Sequence, residues 1–131
     1  MKVMALDFGS ARTGVAVSDP TGTLARPLCV VERAGSEAGL AELARLVREE
    51  AAETVVVGLP LTLRGKRGEQ AAATERFVEA LRRVVDVPVV LYDERFTTAL
   101  AQQTPSAAAE DARAAAHLLT GYLAWSSTTT V

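Results

Sequence analysis

Two apolar runs, Val3–Phe8 and Thr13–Ser18, are joined only by Gly9-Ser-Ala-Arg12. A link that short, opening on glycine, forces the chain to double back, so the two runs pair as antiparallel strands of one hairpin. The first run is apolar at every position but one, as in a strand buried on both faces near the middle of a sheet. The exception is Asp7. A carboxylate in a buried strand is costly unless it is paired, solvated or bound to a metal. Two readings account for it: Asp7 holds a divalent cation at the centre of an active site, or it caps the turn by accepting hydrogen bonds from the amides around Gly9 and Ser10. This stretch alone does not choose between them.

The rest of the chain supplies the context. Asp19-Pro-Thr-Gly22 is a turn cluster, after which Leu24 and Leu28–Val31 form a third strand and complete a meander. From Ser36 to Glu50 the spacing becomes helical, with Leu40, Leu43 and Val47 on one face and Ser36 as N-cap. Thr54–Leu59 is a β-branched run that follows a helix, so it lies parallel to an earlier strand; Pro60 ends it. The following loop, 60–68, carries two glycines, Gly65 and Gly68, and three cations, Arg64, Lys66 and Arg67, within five residues. It reads either as a segment that approaches a phosphate backbone or as an exposed solubilising loop. Ala73, Phe77, Ala80, Leu81 and Val84 mark a second helix, and Val87–Tyr92 a fifth strand that runs into Asp93-Glu-Arg95.

In sheets with parallel strands, chemistry gathers at the carboxyl ends. Two adjacent acids on a strand point to opposite sides, so one of Asp93 and Glu94 can share a site with Asp7 while the other orients Arg95 or caps a turn. Residues 99–109, rich in Ala, Gln, Ser and Pro, form a weakly specified connection to a last helix expected from near Glu110 to about Trp125. Its apolar face holds Ala115, Leu118, Leu119 and Tyr122, and Asp111 falls on that face. Glu110 instead falls with Ala114, His117 and Gly121. Asp111 therefore either points toward the sheet and a site there, or complements the helix dipole. His117, the one histidine, reads as structural, and residues 126–131 as a flexible tail.

The expected architecture is a single α/β domain over residues 1–125 in the order βββαβαβα, a five-stranded mixed sheet flanked by helices. With 49% hydrophobic and 23% charged residues, the 131-residue chain has the composition of a globular domain. Its net charge of -2 makes no global basic field, so a nucleic-acid partner must be held by a local patch. One cysteine, Cys29, excludes an internal disulfide and reads as a small buried residue. No apolar run is long enough to span a membrane and no signal-like segment opens the chain, so a cytoplasmic location is expected. Asp7, Glu94 and Asp111 can converge on such a sheet, and an oxygen-only ligand set suits Mg²⁺ or Mn²⁺. Two such ions about 4 Å apart support phosphodiester cleavage, so metal-dependent nucleic-acid hydrolysis is the implied chemistry.

Ala5-Leu-Asp-Phe-Gly-Ser-Ala-Arg-Thr-Gly-Val-Ala-Val-Ser-Asp19, Val57-Gly-Leu-Pro-Leu61 and Tyr92-Asp-Glu-Arg-Phe-Thr-Thr98 resemble, in order, the three signature blocks of the YqgF/RuvX family. The resemblance spans about residues 3 to 125. It implies a ribonuclease H-like fold, kinship with the RuvC Holliday-junction resolvases, and a candidate nuclease that matures the 5′ end of precursor 16S ribosomal RNA; some members are described as junction resolvases. By the same resemblance Asp7, Glu94 and Asp111 are the catalytic metal ligands, with Glu110 as the fallback third. Arg12, Arg64, Lys66, Arg67 and Arg95 would then bind nucleic acid. Relatives carry a longer, basic segment before the last helix, whereas residues 99–110 here contain no Lys or Arg. That difference lowers the expected phosphate affinity. It keeps open a non-catalytic RNA-binding role, beside the four-way DNA junction as an alternative substrate. An actin-like ATPase, which also carries an acid-glycine turn and hairpin, needs a second such domain. Nothing in the sequence separates monomer from homodimer.

Overall fold

The structure, a computed structural model, describes residues 1–9, 11–59, 68–93 and 107–129. Its elements follow the expected order: β1 (Val3–Asp7), β2 (Arg12–Ser18), β3 (Ala25–Glu32), α1 (Glu37–Glu49), β4 (Thr54–Leu59), α2 (Glu69–Arg82), β5 (Val89–Asp93) and α3 (Ala107–Thr129). The five strands lie side by side as β3-β2-β1-β4-β5. β1 pairs antiparallel with β2 and β2 with β3, completing the meander, whereas β4 is parallel to β1 and β5 parallel to β4. β1 is therefore central, and the carboxyl ends of β1, β4 and β5 share one end of the sheet.

Strand alternation divides the core in two. Met4, Leu6, Val15, Val55 and Val57 face one side, where Leu43 and Val47 of α1 and Phe77, Val78 and Leu81 of α2 cover them. Val3, Ala5, Ala16, Val56 and Tyr92 face the other side, under Ala115, Leu118, Leu119 and Leu123 of α3. Burial on both faces explains why β1 and β4 read as continuous apolar runs instead of alternating ones. Ser36 caps α1 as expected: its Oγ accepts a hydrogen bond from the Gly39 amide at 3.0 Å. Cys29 is half-buried in β3 opposite Val15, and burial pushes its thiol pKa up.

Several boundaries differ from the expectation: β3 begins at Ala25, leaving Leu24 before it. β5 begins at Val89 rather than Val87. Pro88 has no amide proton for a ladder, and its carbonyl instead accepts from Val55 N at 2.9 Å. α3 begins at Ala107 and runs to Thr129, three residues earlier and four residues later than the span 110–125. Ala107-Ala-Ala109 are the best helix formers available, and neither glycine nor proline follows Gly121 to stop the ladder. Helical backbone thus occupies most of the segment expected to be a tail.

Candidate active site

The alternation that sends Val3 and Ala5 toward α3 sends Asp7 there as well. Asp7 is half-buried at the carboxyl end of the central strand. Its neighbours across the ladders are small. Gly14 is its partner on β2. On β4, Val56 pairs with Ala5 and faces α3, so Gly58, two residues on, occupies the same side next to Asp7.

The space over Gly14 is taken by backbone. A β-carbon built there would sit well inside contact distance of the Asp111 carbonyl oxygen, and close to the Ala112 amide at 3.1 Å. Glycine at position 14 is what allows α3 to settle this low on the sheet. Asp7 from the strand and Asp111 from the helix therefore approach the same part of the sheet. Because α3 starts at Ala107, Asp111 lies in the second turn, where the helix dipole has little to offer a carboxylate. Its position is better explained by what it faces. Arg12 Nε stands 2.9 Å from Asp111 Oδ2, and the two side chains are 42% and 30% exposed.

α2 borders the same end of the sheet. Gln70, in its first turn, donates a hydrogen bond from Nε2 to the Phe8 carbonyl at 3.2 Å, and Phe8 stacks on Phe77 with centroids 4.3 Å apart. On the other flank, Ala11, Arg12, Glu32 and Arg33 line an open concavity of about 790 Å³. Arg33 adopts a left-handed backbone (φ 48°), and its amide donates to the Ala11 carbonyl at 3.0 Å, tying the end of β3 to the hairpin loop.

Of the residues expected at the site, the fold brings Arg12 and Asp111 into contact and places Asp7 across the ladder from Gly14, over which the Asp111 backbone lies. Glu94, Arg64, Lys66, Arg67 and Arg95 lie outside the described residues. Asp93 ends β5; Tyr92 beside it packs toward α3, so strand alternation turns Asp93 to the opposite side. Glu110 is helical, one position before Asp111. His117 is exposed, apart from the buried face of α3. Gly14, Gly58 and Arg33 were not anticipated. For the glycines the signal was present, since a glycine inside a strand run marks a close backbone approach. Arg33 carries no sequence signal, because only the pairing of β2 with β3 brings it beside Arg12.

The donor chemistry fits a hard divalent cation. Both carboxylates are oxygen donors, both retain access to water, and a cationic group already stands against one of them. Among the described residues, no three Asp, Glu, His or Cys side chains stand together as a ligand set.

Comparison with known proteins decides the family. The family described as RuvX, Holliday junction resolvase, matches residues 1–125. This chain belongs to the RuvX family. A Chloroflexus aggregans protein named as a candidate pre-16S rRNA nuclease is 48% identical over 101 residues, spanning 77% of this chain and 71% of its own. An Anaeromyxobacter protein of the same name is 42% identical and covers 94% of this chain and 96% of its own. Among solved structures, Thermus thermophilus RuvC in complex with a Holliday junction substrate superposes with a TM-score of 0.65 at 20% identity, covering 99% of this chain and 97% of that one. Fowlpox virus Holliday junction resolvase gives 0.56 at 12% identity, covering 95% and 99%. These likenesses establish the ribonuclease H-like fold, and the RuvX match sets the chain among nucleases. No helix among the described residues is long and apolar enough to cross a membrane.

Proposed function

We propose that this RuvX-family protein is a divalent-metal-dependent endonuclease that hydrolyses phosphodiester bonds at the 5′ end of precursor 16S ribosomal RNA. The observation that supports the reading is that Gly14, the ladder partner of Asp7 at the carboxyl end of the central strand, is also the residue on which the Asp111 backbone rests. A pure binding protein gains nothing from carboxylates turned toward a phosphate backbone. In this reading Asp7, Asp111 and Glu94 hold Mg²⁺ or Mn²⁺, which when bound activates a water and stabilises the leaving oxygen. Glu94 is assigned by its match to the glutamate of the family's Asp-Glu-Arg block.

The chain's own residues have separate tasks. Asp7 presents its carboxylate at the carboxyl end of the central strand, with glycines beside it on β2 and β4. Asp111 is held over the same spot by the packing of α3. Arg12 and Arg33, with Arg64, Lys66, Arg67 and Arg95, supply positive charge for the nucleic-acid backbone. No protein general base is required, because metal coordination itself lowers the pKa of a bound water.

The family description favours a second substrate, four-way DNA. Symmetric junction cutting would need a homodimer, with two active sites facing two strands. End-labelled precursor 16S fragment and a mobile four-way junction, each with Mg²⁺, Mn²⁺ or EDTA, distinguish the possibilities. The expected result is metal-dependent cutting of the RNA that is abolished in Asp7→Asn and Asp111→Asn while far-UV circular dichroism stays unchanged. Cutting of the junction instead selects the DNA substrate. Binding without cutting selects a regulatory role, and parental activity in Asp7→Asn refutes the metal-centre reading.

A further inference from the structure

The Arg12–Asp111 contact ties a side chain assigned to nucleic acid to one assigned to the metal. The two assignments compete for one carboxylate, because Arg12 Nε already stands 2.9 Å from Asp111 Oδ2. A divalent ion at Asp111 cannot share that oxygen comfortably with a guanidinium, since the two cations repel at such short range. With the pair 42% and 30% exposed, water screens the attraction and the contact is easily exchanged. Arg12 also has somewhere to go. It lines the concavity formed with Ala11, Glu32 and Arg33, and the left-handed turn that bonds the Arg33 amide to the Ala11 carbonyl fixes the Arg33 backbone beside it.

We infer that Arg12 is a two-position latch: it neutralises Asp111 in the metal-free protein and, when a divalent cation takes Asp111, turns to the adjacent concavity to meet a nucleic-acid phosphate beside Arg33. Metal and nucleic acid then bind cooperatively through one side chain. Each ligand releases Arg12 for the other, and the coupling is reciprocal by linkage. The pair also keeps the metal-free centre from presenting a bare carboxylate to an approaching phosphate. This inference rests on the proposed metal centre and specifies how that centre is gated.

The test is Mn²⁺ binding by isothermal titration calorimetry on the full chain, comparing the parent with Arg12→Gln and with Arg48→Gln. Arg48 lies in the last turn of α1, so its substitution makes the same change in net charge away from the site. Arg12→Gln should bind Mn²⁺ about fivefold more tightly, the scale of an exposed ion pair, while Arg48→Gln stays within twofold. In the parent, the ¹⁵N–¹H signal of Arg12 Nε, assigned by its loss in Arg12→Gln, should shift on Mg²⁺ titration with the midpoint of cation binding. Fluorescence anisotropy with a labelled RNA should show parental affinity rising when Mg²⁺ is added, with the rise at least halved in Arg12→Gln. Unchanged or weaker Mn²⁺ binding in Arg12→Gln, or an Nε signal unmoved at saturating Mg²⁺, overturns the latch while leaving the metal centre standing. If neither parent nor Arg12→Gln binds Mn²⁺, the metal-centre reading and the latch fall together. Loss of binding in Asp111→Asn identifies the site being titrated.

Discussion

Gly14→Ala adds one methyl group at the point where α3 rests on β2. The new β-carbon would overlap the Asp111 carbonyl, a backbone atom that no rotamer change can move aside. Relief requires the start of α3 to lift by about 1 Å, enough to forfeit a quarter to a half of the dispersion energy at each contact that opens. The contacts at stake are good ones, since Ala115, Leu118 and Leu119 are all 1% exposed or less. Overpacking of this kind costs about 1–3 kcal/mol, and a backbone obstruction belongs at the upper end, about 2–3 kcal/mol. For a domain of this size that corresponds to a fall of roughly 10 °C in Tm. Urea denaturation followed by circular dichroism measures it, with an unchanged slope showing that stability alone has moved. Gly35→Ala is the matched control, because nothing lies within 4 Å of a β-carbon there. Its effect should stay within about 0.5 kcal/mol. If the two variants unfold at the same urea concentration, α3 is not seated on Gly14 as described.

Three further outcomes follow from the same structure. Ser36→Ala removes the N-cap of α1 and should cost about 1 kcal/mol in the same urea assay. Thr13→Val should be neutral or stabilising by up to about 1 kcal/mol, because Thr13 Oγ1 is fully buried and has no hydrogen-bond partner among the described residues. Asp19 accepts hydrogen bonds from the Thr21 hydroxyl at 2.6 Å and from the Thr23 and Leu24 amides at 2.8 and 3.1 Å, which lower its pKa from the usual 3.8 to about 2. The folded value lies below the unfolded one, so this contribution is fully present above pH 3.8 and is lost as pH falls through about 2. Unfolding midpoints measured across that window should fall less steeply in Asp19→Ala than in the parent.

The legible part of the site was the part encoded by local pattern. Asp7 stood out because a lone acid interrupted an apolar strand, and Asp111 because the helical period put it on the face of Leu118 and Leu119. The turn-cap and dipole readings of those residues were equally consistent with the sequence. Register separated them for Asp111: the start of α3 at Ala107 carries it beyond the first turn, and the overlap with Gly14 shows which strand it faces. The ends of α3 were misjudged for a related reason. Alanine-rich and Ser/Thr-rich segments lack the amphipathic period that marks a helix, yet can extend one already anchored by Leu118, Leu119 and Leu123.

By itself the sequence determined the order of the elements, the hairpin at the amino end, the α1 cap and the residues of the core. These follow from steric and hydrophobic rules that act over a few neighbouring positions. Tertiary structure alone decided that Arg12 meets Asp111, that glycines flank Asp7, and that Arg33 shares a concavity with Arg12. Those contacts join residues from 7 to 99 positions apart in the chain, and strand register and helix seating, which set them, are properties of the assembled sheet.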